Sequence, residues 1–106
     1  MNQEQLDSIR DARNRAEILL LVRRTHRAQA SRMDHVEVWH MLRALGIELG
    51  EDDVLTFLQD LEGAELIEFE EEKDRRTNRV TITHIKLCNR GLRVLEGRVV
   101  EDIVLL

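Results

Sequence analysis

Leu66-Ile67-Glu68-Phe69-Glu70-Glu71-Glu72-Lys73-Asp74-Arg75-Arg76-Thr77-Asn78-Arg79-Val80-Thr81-Ile82-Thr83-His84-Ile85-Lys86-Leu87 is the stretch in which the chain changes its periodicity. Ile67 and Phe69 alternate with Glu68 and Glu70, the period of a half-buried strand. Glu72 to Asn78 is polar and charged, as a reversal would be. Val80 to Leu87 is rich in β-branched residues, so the two runs predict a hairpin. Val80 and Ile82 face one way while Ile85 and Leu87 face the other, and a bulge near Thr83 and His84 accounts for the slip.

Working back from the hairpin, apolar residues recur at helical spacing. Val54, Phe57, Leu58 and Leu61 make the stripe of a third helix that starts after Gly50. Its first turn holds Glu51, Asp52 and Asp53, where the helix dipole favours acids, and Gly63 lies near its end. A second helix is predicted from Asp34, which can cap it, with Glu37 at N3 and Met33 placed to staple onto Val38. Val38, Leu42 and Leu45 form its apolar face with Trp39 beside it, and Gly46 is placed to end it. The first 28 residues read as one helix with Leu6, Ile9, Arg13, Ala16 and Leu20 along one side. The run Ile18 to Val22 is apolar nearly all round. Gln29 to Met33 reads as a connector.

Forward of the hairpin, Asn89 to Glu96 returns to helical spacing with Leu92 and Leu95 inward, until Gly97. Three helices, a two-stranded hairpin and a short helix follow the order of a winged helix-turn-helix, mainly α. The expected core holds Trp39, Leu42, Phe57, Leu58, Leu61, Ile67 and Ile82. Residues 1–98 read as one domain and residues 99–106 as an apolar tail. Ile103, Val104, Leu105 and Leu106 are four consecutive apolar residues, which predicts that the tail is covered. It would either fold back on the first helix or pair with a second copy about a two-fold axis, and the dimer is the favoured version.

From Leu49 onward the chain resembles small winged-helix proteins of Mu-like phages and prophages. The residues that carry the resemblance are Leu49-Gly50-Glu51-Asp52-Asp53-Val54, Phe57-Leu58, Leu66-Ile67, Leu87-Cys88-Asn89-Arg90-Gly91-Leu92 and Gly97. It spans about residues 10–104. Gly50 and Cys88 stand where that family usually has Ser or Thr, and Val99 to Val104 where its tail usually contains proline. The resemblance implies the fold and a phage or prophage setting, and it brings no catalytic residue.

Composition narrows the function. At 106 residues, 42% apolar and 35% charged, the chain suits one soluble domain. A single cysteine, Cys88, excludes an internal disulfide and fits a reducing, cytoplasmic setting. The longest apolar run is far short of the roughly 20 residues of a membrane span. Net charge is −5 but unevenly placed: residues 1–43 carry +2, residues 44–72 carry −11 without one Lys or Arg, and residues 73–106 carry +4.

That asymmetry bears on partners. The third helix stands in the recognition position of a helix-turn-helix, yet its exposed side is Asp52, Thr56, Gln59 and Gly63 flanked by Asp53 and Asp60. Phosphate attraction needs Lys or Arg, so this helix is a poor candidate for the major groove. It is either a solvated acidic face or a docking face for a basic protein. Lys73, Arg75, Arg76 and Arg79 at the hairpin turn are the candidate nucleic-acid contacts, able to reach a minor groove or pin phosphates. Such bases also serve solubility alone. Arg10, Arg13, Arg23, Arg24 and Arg27 on the first helix have Asp7, Asp11 and Glu17 near them to pair with.

His26, His35, His40, His84 and Cys88 are the only soft ligands, and their spacing matches no metal motif. Cys88 reads as a small packed residue. The carboxylates lack a phosphate loop or nucleophile beside them, so no enzyme, cofactor, metal or small-molecule substrate is expected. The expectation is a binding module with a protein partner or a second copy, and with DNA contact through the Arg-rich turn and first helix as the alternative.

Overall fold

The computed structural model describes residues 2–29 and 33–106, the side chains of residues 26–29 excepted. The elements run α1 (Gln3–Gln29), α2 (His35–Ala44), α3 (Glu51–Gly63), β1 (Ile67–Lys73), β2 (Val80–Leu87) and α4 (Asn89–Leu95). The chain is thus mainly helical, with one two-stranded antiparallel sheet. Gln29 closes α1, and most of the connector expected to follow it lies outside the described residues, as do the side chains of His26 and Arg27. No described helix is long and apolar enough to cross a membrane.

Local chemistry sets the helix ends. The Asp34 carboxylate accepts the Glu37 N–H at 2.8 Å, and Met33 and Val38 are both buried in the core across that cap. Asp34→Ala should therefore cost about 0.5–2 kcal/mol in a denaturant melt, because it orphans an N-terminal donor. At the other end of α2, Gly46 takes φ +84°, and the Gly46 and Ile47 N–H groups return to Arg43 and Leu42. This is a Schellman ending.

The same hydrogen bonding closes α3, but Gly63 stays helical and the left-handed residue is Glu65, at φ +64°. Gly63 is the last residue of α3, near its end as expected, and Glu65 takes the left-handed turn because the N–H of the buried Leu66 reaches back to Leu61. An L side chain pays for that backbone conformation, so Glu65→Gly should raise stability by roughly 0.5–1 kcal/mol. Thermal unfolding of the pair checks this.

The hairpin carries the expected bulge. Glu68 faces Lys86 and Glu70 faces Thr83, so Phe69 on β1 stands against two residues of β2. His84 absorbs the extra residue at φ +55°. The slip turns Ile82 and Ile85 to the same side, and both are buried.

The core gathers Leu42, Phe57, Leu58, Leu61, Ile67 and Ile82 as expected, with Trp39 half-buried against them. α1 departs from expectation. Leu6, Ile9, Arg13 and Leu20 face solvent, and only Ala16 of that row is buried. The buried side instead carries Ala12, Ala16, Ile18, Leu19, Leu21 and Val22. The Ile18–Val22 run offers apolar surface in every direction, so the direction that buries most of it wins over the regular row.

Candidate functional site

Among the expected docking residues, Asp52, Thr56 and Gln59 form an exposed row on α3 at spacings of four and three. The Gln59 side-chain amide donates to the Glu71 carboxylate of β1 at 3.0 Å, which joins this row to Glu71 on the Ile67–Phe69 side of the strand, whereas the exposed Glu68, Glu70 and Glu72 alternate to its other side. Two residues expected on the face have other work. Asp53 turns back to accept the Gly50 N–H at 3.0 Å, fastening the helix start. Asp60 points away to α1, where Arg15 reaches it at 3.0 Å. Asp60 leaves the face because a half-buried guanidinium lies on its other side, stacked 5.4 Å from the Phe57 ring centre.

The reversal between β1 and β2 is tightly organised. Asp74 accepts the Arg76 N–H through its carboxylate and the Asn78 N–H through its carbonyl, each at 2.8 Å. Asn78 is left-handed at φ +57°. Lys73, Arg75 and Arg76 are exposed and make no ion pair among the described residues. Arg79 is less free, lying 3.4 Å from Glu51 at the start of α3.

That Glu51 belongs to a network the sequence did not disclose. His35, at the first position of α2, is 1% exposed and is the only polar residue in the described core. Its Nδ1 accepts the Ile82 N–H at 3.2 Å, so that nitrogen carries no proton. The proton is on Nε2, which donates to Glu51 at 3.0 Å. One imidazole thus ties the starts of α2 and α3 to β2. The hydrogen bond from His35, helped by Arg79, holds the Glu51 carboxyl below its usual range despite desolvation. A lowered carboxyl contributes stability that is present at neutral pH and is lost as pH falls through its folded value. Unfolding free energy should therefore decline on acidification below about pH 4.5 more steeply in the native chain than in Glu51→Gln.

The tail folds back on its own domain. The Leu105 N–H donates to the Ala12 carbonyl at 3.1 Å, and Arg15 donates to the Ile103 carbonyl at 3.2 Å. Arg90 fixes Glu101 at 2.7 Å. Ile103 and Val104 are half-buried against the core, whereas Leu105 and Leu106 remain 45% and 62% exposed.

His84 pairs with Glu70 at 3.0 Å on the outside of the bulge. Cys88 precedes α4, half-buried, and burial beside Glu68, Glu65 and Glu62 pushes its thiol up. Among the described residues no three His, Cys, Asp or Glu side chains come together as a metal site would need. No family model, curated protein or solved structure matches the chain. The arrangement of its own residues therefore carries the functional reading: an acidic surface on α3 and β1, and a basic turn beyond it.

Proposed function

We propose that this is a winged-helix binding module without enzymatic activity, whose acidic α3–β1 surface docks a basic segment of a partner protein. The phage or prophage setting implied by the resemblance is part of this reading. The observation that carries it is the Gln59–Glu71 bridge. It sets the exposed side of α3 beside Glu71 of β1, within a segment holding eleven acids and no base. Duplex DNA brought to this face would set phosphates against carboxylates, and Arg79 at its margin, already paired with Glu51, offsets little of that repulsion. A Lys- or Arg-rich peptide meets the opposite balance.

The test is the affinity of a labelled twelve-residue Arg/Lys peptide, measured by fluorescence anisotropy at low and moderate salt. Asp52→Lys with Glu71→Lys should weaken binding at least tenfold. Glu96→Lys with Asp102→Lys makes the same change in net charge elsewhere and should have little effect. Equal losses from both pairs would reduce the interaction to overall charge and overturn the reading.

A second reading is favoured by the unpaired Lys73, Arg75 and Arg76 on the ordered turn: DNA contact through these three and Arg79 beside them. It requires duplex retention at low salt that falls when Arg75, Arg76 and Arg79 become alanine. Thr56→Ala with Gln59→Ala should leave that retention alone. If this second pair abolished sequence-specific binding instead, α3 would be the DNA-reading element and the docking proposal would fail.

A further inference from the structure

The regular row on α1, solvent-facing except at the buried Ala16, keeps the spacing of a coiled-coil seam. Leu6, Ile9, Arg13, Ala16 and Leu20 alternate steps of three and four, and Leu6, Ile9 and Leu20 are 44%, 38% and 41% exposed. Residues 2–10 are exposed throughout. At 1.5 Å per residue they make an exposed arm of about 13 Å. A free arm of this length is a marginal helix, yet its start is firmly capped. Asn2 accepts the Gln5 N–H at 2.8 Å and Gln5 accepts the Asn2 N–H at 3.0 Å. Further along the same face, Leu20, Leu21 and Leu45 line a groove of about 400 Å³ bordered by Glu17, Arg23 and Arg24. Leu45 is 55% exposed there.

We propose that the α1 seam pairs with the α1 seam of a second copy, antiparallel about a two-fold axis crossing between Asn14 and Arg15. This surface is separate from the acidic face and does not depend on it. With that axis Ile9 lies across from Leu20 of the second copy, and Leu6 lies at its Arg23, inside the groove. Arg13 falls across from Ala16, a side chain too small to obstruct it. Arg10 and Glu17 flank the seam on the same side. An antiparallel pair therefore brings Arg10 of each copy beside Glu17 of the other, twice. Neither makes an ion pair among the described residues of its own chain. The acidic start of α1, with Glu4 in its first turn and Asp7 just beyond, extends towards the Arg23–Arg24 end of the other copy. A parallel pair would instead stack Arg13 on Arg13 and leave Arg10 facing Gln5 or Ala12. Charge and shape thus single out a second copy, in one orientation, as the occupant.

Sedimentation velocity of the full chain from 5 to 200 μM should show a monomer–dimer equilibrium. Leu20→Glu should raise the dissociation constant at least tenfold while leaving the circular-dichroism spectrum and melt of the monomer intact. Arg10→Glu and Glu17→Arg should each weaken self-association, and an equimolar mixture of these two variants should restore it as a heterodimer. A chain monomeric at 200 μM would overturn the proposal. So would a dimer indifferent to Leu20→Glu, including one lost only on deleting residues 99–106, or single variants that fail to complement each other.

Discussion

Gly91→Ala is expected to be the most damaging single-methyl change in the chain, costing about 3 kcal/mol, the upper end for forcing a methyl into a packed site. The Gly91 backbone is not left-handed, so the requirement is space. A Cβ built there overlaps the Leu66 carbonyl oxygen and comes within 2.8 Å of Leu87 Cδ1. That carbonyl cannot step aside, because it accepts the Cys88 N–H at 3.0 Å where the hairpin hands over to α4. The melting temperature should fall by more than about 10 °C. Gly63→Ala is the control. Its Cβ would meet nothing within 4 Å, and a helical glycine replaced by alanine should gain about 0.5–1 kcal/mol. Equal melts for the two variants would remove the close approach as an explanation of Gly91.

His35→Leu should cost about 2–4 kcal/mol, because an apolar side chain strands the buried Ile82 N–H and leaves Glu51 without its donor. Partial replacements separate the two contributions. His35→Asn can offer an acceptor where Nδ1 stood, whereas His35→Gln can reach Glu51 with a donor. Amide exchange at Ile82 should accelerate in the Leu and Gln variants and stay slower in Asn. Uniform protection across all three would mean the ring fills volume and does not satisfy the strand.

These two positions also show what could be read from the sequence. Gly91 belonged to the motif behind the resemblance, but its reason lies in Leu66, 25 residues away. Features decided within a turn or two were legible: the Asp34 cap, the Gly46 ending, and the bulge that the phase slip at Thr83 and His84 required. His35 was visible only as a spare imidazole, because its partner is a backbone N–H 47 residues on. The seam on α1 was seen as a regular row, and its direction was not. When Ile18 to Val22 can be buried from any side, the rest of the domain chooses the side. Of the candidate face, Asp52, Thr56 and Gln59 are on it and Asp60 is not, since no local rule announces that Arg15 lies behind it.

The hairpin has two edges, and they are finished differently. On β2 the outward N–H groups of Ile82 and Ile85 are taken by the His35 ring and the Met33 carbonyl, so the segment entering α2 stands in for a third strand. Among the described residues no further strand borders β1. Its defence against strand addition from another molecule is electrostatic, through Glu68, Glu70, Glu71 and Glu72. Glu70→Gln with Glu72→Gln should therefore make the protein form intermolecular β-structure, and lysines at the same two positions should not.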